Sequence, residues 1–152
     1  MRSFQERFHE RYSHCVGCGS SRTDGLGVRS YWSLDEADVA VAHVDVDPRL
    51  HGGDTRVMYG GVIASLIDCH SAATADATKA EQLGLDPNGP VPRFVTASLT
   101  VDYREPTPMG PVDLRATVTS LEGRKAHVTC ELIADGRVTA TGHSLMIQID
   151  DA

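Results

Sequence analysis

The sequence lacks the features of a membrane, disordered or repetitive protein. Its longest apolar run, Val62–Ile67, contains Ser65 and is far shorter than the roughly 20 residues that span a bilayer. Low-complexity tracts and internal repeats are absent, which argues against disordered and solenoid architectures. A chain of 152 residues is long enough to bury its own core, so we expect one domain spanning residues 1–152.

Blocks of basic residues are also missing. The sequence has 14 Lys and Arg residues against 21 Asp and Glu residues, giving a formal net charge of -7. This balance argues against nucleic acid or an anionic membrane as the main partner. An anionic ligand would therefore depend on a few local basic side chains.

Cysteine is scarce, and a secretory signal is not apparent. The first twelve residues mix charges with aromatics and have no apolar core, so we expect a cytoplasmic, reducing setting with free thiols. His14 and the pair Cys15 and Cys18 have a spacing that zinc sites use, but no second ligand pair follows them. Cys69 and Cys130 are isolated in the sequence. We therefore predict neither a metal site nor a cofactor.

Hydrophobic periodicity predicts one long helix and six strands. A short N-terminal helix is expected over residues 3–12, where Phe4, Phe8 and Tyr12 recur every four positions. The long helix is expected over residues 61–80, and its small and apolar residues on nearly all sides indicate a helix enclosed by protein. The predicted strands cover residues 26–34, 37–46, 93–104, 111–121, 125–134 and 138–149.

These elements predict an α+β domain with the hotdog fold, in which a curved antiparallel sheet of five to six strands wraps around one long central helix. Alternation in the strand over residues 93–104 directs Val95, Leu99 and Tyr103 towards the helix and Thr96 to the polar face. Because exposed sheet edges are usually paired, we expect a homodimer or homotetramer.

The start of the long helix carries the most informative pattern. Gly60 and Gly61 allow a ligand to approach the backbone, and the first amide groups of a helix have no partner within it. Tyr59 is not a favoured capping residue, so these donors stay available for the oxygen of a thioester carbonyl. Asp68 lies two turns further on among apolar and small residues, which makes it a candidate catalytic carboxylate.

Gly60 and Asp68 are too far apart on one helix to act on the same carbonyl. Their separation is about 12 Å at about 1.5 Å per residue. Two helices that meet antiparallel across a dimer axis would bring Gly60 of one subunit beside Asp68 of the other. The spacing therefore predicts a site shared between two chains.

The same residues resemble the PaaI-type hotdog thioesterases, whose pattern is His-Gly-Gly, six residues, and then Asp or Glu. Here Tyr59-Gly60-Gly61 precedes Asp68 at the same spacing. Supporting similarities lie in His14–Gly19 with Gly25-Leu26, in the strand from Val95 to Pro106, and in the turn Glu122–Lys125.

The resemblance implies hydrolysis of an acyl-CoA thioester to a free carboxylic acid and CoA. Asp68 would be the nucleophile or the general base, and the Gly60 amide would polarise the carbonyl. Tyr59 and Gly61 would complete the helix-start motif, and the Thr96 hydroxyl would help to place the water. Arg124 and Lys125 match a turn that contacts the CoA phosphates.

Two positions depart from the family pattern. Tyr59 replaces the usual His, and a phenol can donate a hydrogen bond but does not easily cycle protons at neutral pH. Gly53 stands where some relatives have Asn. These departures leave a non-catalytic acyl-CoA or lipid-binding hotdog protein as the alternative. A hydroxyacyl thioester dehydratase ranks last, because it would need a His paired with an acid.

Ordinary structural roles compete with each assignment. The Asp68 carboxylate could be satisfied by the backbone or by His70, and the two glycines could serve close helix–sheet packing. Thr96 could be a plain strand residue, and Arg124 with Lys125 could be a solvated turn. His51 and His70 are expected to be hydrogen-bonded structural histidines.

Overall fold

A computed structural model describes residues 1–150 and contains one long helix and six strands. The helix is α1 (Gly60–Gln82), and two short 3-10 turns, Phe4–Arg7 and Glu10–Tyr12, precede it near the N-terminus. The strands are β1 (Tyr31–Trp32), β2 (Ala40–Asp45), β3 (Arg93–Tyr103), β4 (Pro111–Glu122), β5 (Lys125–Ala134) and β6 (Arg137–Ile149).

All six strands form one antiparallel sheet in the order β1-β2-β4-β5-β6-β3. Helix α1 follows β2 and packs on β3, β4, β5 and β6. The chain then continues into β3, which pairs only with β6 and so lies at one edge of the sheet. This is the α+β hotdog arrangement that the sequence predicts.

The core lies between α1 and the concave face of the sheet. Leu66 and Ile67 on the helix are fully buried and belong to one apolar cluster with Leu114, Leu132 and Met146 of the sheet. Helix α1 approaches the sheet closely at a glycine of β6. A Cβ built on Gly142 would lie 2.3 Å from Cγ2 of Ile67, so a larger residue at position 142 would clash with the helix as it packs here.

The first third of the chain departs from its predicted secondary structure. Residues 3–12 form two 3-10 turns because Phe8 has an extended backbone with φ -67 and ψ 148. The predicted strand over residues 26–34 is reduced to β1. Its first part bonds elsewhere, since the N–H groups of Leu26 and Val28 donate to the carbonyls of Val16 and Gly17.

The remaining predicted elements are confirmed, with boundaries that shift by up to three residues. The predicted loop over residues 47–59 contains only two isolated bridges, His51 with Met58 and Val57 with Pro108. No helix among residues 1–150 combines the length and the apolar character that crossing a membrane requires.

His70 is a structural histidine buried under the N-terminal segment. Its Nδ1 accepts from the Ser30 hydroxyl at 2.8 Å, and its Nε2 donates to the Ala40 carbonyl at 3.1 Å. Gln5 donates in turn to the Ser30 hydroxyl at 2.8 Å. Desolvation lowers the pKa of His70 to about 4, because burial disfavours the imidazolium. The neutral ring therefore joins α1 to β2 and to the N-terminal turn.

We expect His70 to make the protein acid-sensitive. Its folded pKa lies below its ordinary value, so the unfolded chain binds the extra proton first as the pH falls. The free energy of unfolding should drop by about 3 kcal/mol between about pH 6.5 and about pH 4 from this group alone. Urea unfolding of His70→Gln across this range should show a smaller pH slope than wild type.

The matched control is His127→Gln, because His127 is exposed on β5. It should keep the wild-type slope. Parallel pH dependences for wild type and His70→Gln would contradict the assignment.

Candidate active site

Strand β3 runs antiparallel to α1 and contacts it at three points along its length. Phe94 meets Asp76, Thr96 meets Asp68, and Tyr103 meets Gly60. The edge strand therefore lines the whole candidate site, from the middle of the helix to its first residue.

Asp76 makes the buried contact that attaches β3 to the helix. Its carboxylate accepts from the Phe94 N–H at 2.6 Å and from Nη1 of Arg93 at 2.9 Å, and the Asp76 side chain has no exposed surface. The Arg93 guanidinium also lies 4.6 Å from the centre of the Phe8 ring. Both carboxylate oxygens of Asp76 are therefore paired, whereas Nε of Arg93 is buried without a hydrogen-bond partner among residues 1–150. The contacts of Asp76 hold β3 in one register against α1.

Asp68 lies two turns before Asp76 and is half-buried. Its Oδ1 accepts a hydrogen bond of 2.5 Å from the Thr96 hydroxyl, whose oxygen is also 3.3 Å from Sδ of Met146. Within residues 1–150, Oδ2 of Asp68 has no hydrogen-bond partner. One oxygen is thus fixed and the other is available to water or substrate.

A β-bulge brings Thr96 to the helix. The pairing of β3 with β6 shifts between Thr96 and Ser98, so the strand changes phase at Ala97. Thr96 faces α1 before the bulge, and Leu99, which packs against the core, faces it after the bulge. The prediction that strict alternation puts Thr96 on the opposite face from Leu99 was therefore wrong.

The start of α1 presents uncapped amide groups. Tyr59 takes the N-cap position without a side-chain hydrogen bond, and its carbonyl accepts from the N–H groups of Val62 and Ile63. The N–H groups of Gly60 and Gly61 precede these bonds and point out of the helix end. The Tyr103 hydroxyl donates to the Gly60 carbonyl at 2.7 Å, which steadies this first turn.

The two glycines have different surroundings. A Cβ on Gly61 would lie 2.6 Å from the Tyr59 ring, so that ring lies against one side of Gly61. The nearest atoms to a Cβ on Gly60 would belong to the Tyr103 side chain, at an ordinary contact distance of 3.5 Å. Packing within the chain therefore does not explain why position 60 is glycine.

One side of the helix start is open. Gly61 and Ser65 are exposed, and Ala64 is only partly buried, so within one chain the predicted enclosure of the helix does not extend to this strip. A groove of about 440 Å³ beside it is lined by residues that include Gly60, Ile63 and Tyr103. The open strip leads from the free amides to Asp68.

Arg124 and Lys125 lie away from this groove. Arg124 donates from Nε and Nη2 to the Gln148 carbonyl at 3.0 and 2.8 Å, and Lys125 is exposed at the start of β5. The Lys79 ammonium donates to the Gly123 carbonyl at 3.1 Å, which places this turn beside the last part of α1. The turn is thus at the other end of the helix from Gly60.

Sequence reasoning missed two features of the site. Asp76 was hidden because its partners, Arg93 and the Phe94 amide, follow it only after an intervening loop. Cys69 seemed isolated, but its thiol lies near those of Cys15 and Cys18. His70, which had been a possible partner of Asp68, instead faces Ser30 and Ala40.

Comparison with known proteins agrees with this fold. The sequence profile of the thioesterase superfamily matches residues 56–141, more than half of the chain. A conserved protein from Pseudomonas aeruginosa has a similar fold, with a TM-score of 0.66, 19% identity, and coverage of 82% of this chain and 90% of that one.

Two further structures are similar. The PaaI protein of the phenylacetic acid degradation operon of E. coli has a TM-score of 0.64 and 18% identity, over 82% of this chain and 81% of its own. A thioesterase from Haemophilus influenzae has a TM-score of 0.65 and 18% identity, over 82% and 80%. No curated protein matches the sequence. The profile and the PaaI likeness confirm the resemblance drawn from the sequence.

We expect Asp76→Asn to destabilise the fold strongly. The change removes the buried partner of the largely buried Arg93 guanidinium, and breaking a buried pair from one side typically costs about 3–5 kcal/mol. Denaturant unfolding measures this loss. Asp47→Asn, which breaks the exposed pair of Asp47 with Arg49, is the matched control and should leave the unfolding midpoint nearly unchanged. Equal midpoints for the two variants would show that the buried pair does not hold β3.

Proposed function

This chain belongs to the thioesterase superfamily, and we propose that it hydrolyses an acyl-CoA thioester to a free carboxylic acid and CoA. The observation that carries the proposal is the hydrogen bond between Thr96 and Asp68 on the open strip that leads to the uncapped helix start. A carboxylate and a pair of free amide donors are the two groups that thioester hydrolysis needs.

Asp68 would act on the substrate carbonyl through its free oxygen. The Thr96 hydroxyl holds Oδ1, so Oδ2 can accept a proton from a water molecule whose oxygen then attacks the thioester carbon. The carbonyl oxygen gains negative charge and accepts from the Gly60 N–H, after which the C–S bond breaks and CoA leaves as a thiolate. Direct attack by Oδ2, giving an anhydride that water then opens, uses the same residues.

The site would be shared between two copies of the chain. Gly60 and Asp68 lie about 12 Å apart along α1, at about 1.5 Å per residue. Three large side chains beside the open strip are exposed: Tyr59 by 58%, Val95 by 38% and Tyr103 by 53%. Edge strand β3 and these side chains favour pairing with a second copy, which would bring its Gly60 to the first copy's Asp68.

The turn at Arg124 and Lys125 would bind the CoA phosphates. Its contact with Lys79 places it beyond Asp68 on the same chain, by about 16 Å along the helix at about 1.5 Å per residue. If the thioester carbonyl of an acyl-CoA lies at Asp68, its CoA phosphates lie some distance away, because the pantetheine arm separates the thioester from the phosphates. The three basic side chains supply the positive charge that the acidic composition otherwise lacks.

A non-catalytic acyl-CoA or lipid-binding protein is the second candidate, and Tyr59 in place of His favours it. The phenol lies against one side of Gly61 and can donate a hydrogen bond, so ligand positioning survives without proton transfer. The dehydratase alternative lacks its His at this position. We propose a cytoplasmic homo-oligomer that works without nucleic acid, membrane or cofactor.

Asp68→Asn should lower turnover of acyl-CoA substrates by about 10²- to 10⁴-fold, because the amide cannot accept the proton of water. Release of CoA is followed with a thiol reagent over acyl chains of increasing length. Asp135→Asn is the matched control, since Asp135 lies in the exposed β5–β6 turn with φ 51, a conformation that Asn adopts readily. Equal turnover in wild type and Asp68→Asn, or tight acyl-CoA binding without turnover, would favour the binding protein.

Gly60→Pro should lower kcat by about 10²- to 10³-fold, because it deletes the proposed oxyanion donor. Proline is favoured at the first helical position, and Tyr59 already has the extended backbone that proline requires before it, with φ -61 and ψ 131. Gly60→Ala adds a Cβ but keeps the N–H, so it should lose much less activity. Similar losses in both variants would contradict the donor role.

The same variants test the shared site. In mixed dimers of Asp68→Asn and Gly60→Pro chains, one of the two sites receives both intact residues, so random mixing should restore about a quarter of wild-type activity. A site contained within one chain would give no recovery.

A further inference from the structure

Three cysteine thiols from distant parts of the sequence meet where the N-terminal loop packs on α1. Cys15 and Cys18 lie in the loop before β1, and Cys69 lies on α1. Their Sγ atoms are all within 4.8 Å of one another. Cys18 and Cys69 are buried, and Cys15 is partly exposed. Cys15 and Cys18 have the spacing of zinc ligands in the sequence, and folding brings Cys69 to them as a third ligand.

The distances fit a single metal ion. Sγ of Cys15 and Sγ of Cys69 are 3.9 Å apart. Thiolates bound tetrahedrally to Zn²⁺ at about 2.3 Å lie about 3.8 Å from one another. An ion between these two sulfurs would therefore require little movement of either side chain.

The loop that carries Cys15 and Cys18 is built to hold them in place. The Gly17 N–H donates to Sγ of Cys15 at 3.4 Å, as amides near metal-bound thiolates do. A Cβ on Gly17 would lie 2.3 Å from Sγ of Cys69, so glycine is required for the loop to reach the helix. Arg29 donates to the carbonyls of Cys18 and Gly19 at 2.9 and 3.1 Å and fixes the end of the loop.

We propose that Cys15, Cys18 and Cys69 bind one thiophilic divalent cation of the Zn²⁺ class, with a fourth position open to water beside the partly exposed Cys15. Each thiol that binds releases one proton to solvent, and no oxidant or reductant takes part. The ion would tie the N-terminal loop to α1 at Cys69. This binding is independent of thioester hydrolysis, so either proposal can fail without the other.

A disulfide explains the cluster less well. It would join two of the three sulfurs, leave the third unpaired, and require the 3.9 Å separation to close to about 2.0 Å. It would also require an oxidant. The convergence of all three thiols on one point favours an ion.

The test uses the full-length protein, reduced with a phosphine, stripped with a chelator and then titrated with Zn²⁺ or Co²⁺. We expect one ion per chain, a near-ultraviolet thiolate-to-cobalt charge-transfer band, and a higher unfolding temperature with Zn²⁺. Cys15→Ala, Cys18→Ala and Cys69→Ala should each weaken binding by about tenfold or more. Cys130→Ala is the matched control, because Cys130 is buried in β5 outside the cluster, and it should bind as wild type does.

A measurement on the unmodified chain guards against variants that fail to fold. Zn²⁺ should slow the alkylation of Cys15 by iodoacetamide, mapped by peptide mass spectrometry. The proposal would be overturned by wild-type protein that binds less than one Co²⁺ per chain without a charge-transfer band. Unchanged binding in folded Cys69→Ala, or a Cys15–Cys69 disulfide in the reduced preparation, would overturn it equally.

Discussion

The buried carboxylate of Asp76 decides how strand β3 lies on helix α1, and the candidate site follows from that placement. One of its oxygens accepts from the backbone of β3 and the other from Arg93, so the strand cannot slide without leaving a buried charge unpaired. Two residues further along β3, Thr96 reaches Asp68. The structural acid Asp76 thus sets the distance between Thr96 and Asp68.

The sequence predicted the helix, its glycine-rich start and five of the six strands because these features are local. Periodicity reports which side of a segment is apolar, and the spacing of Gly60 and Asp68 follows from helix geometry alone. A bulge that moves a residue from one face of a strand to the other is not a local feature. The bulge at Ala97 depends on the partner strand β6, so alternation assigned Thr96 to the wrong face.

Long-range contacts explain the other differences. Phe4 bonds to Ser30, and Leu26 bonds to Val16, so the N-terminal segment follows these partners instead of its own helical or strand preference. The three-cysteine cluster is hidden in the same way, because Cys69 lies far from Cys15 along the chain. Patterns in a sequence reveal elements, whereas these contacts depend on how the elements are brought together.

The position of β3 in the sheet has a consequence for how the protein is made. β3 follows the helix directly but pairs only with β6, so synthesis must proceed through β6 before this edge can close. Until then the edge strand that carries Thr96 has no partner in the sheet, and the contact of Asp76 with the Phe94 N–H links it to α1. A chain cut short within β6 would therefore keep helix α1 and the β4–β5 hairpin but leave the Thr96–Asp68 pair without the strand that supports it.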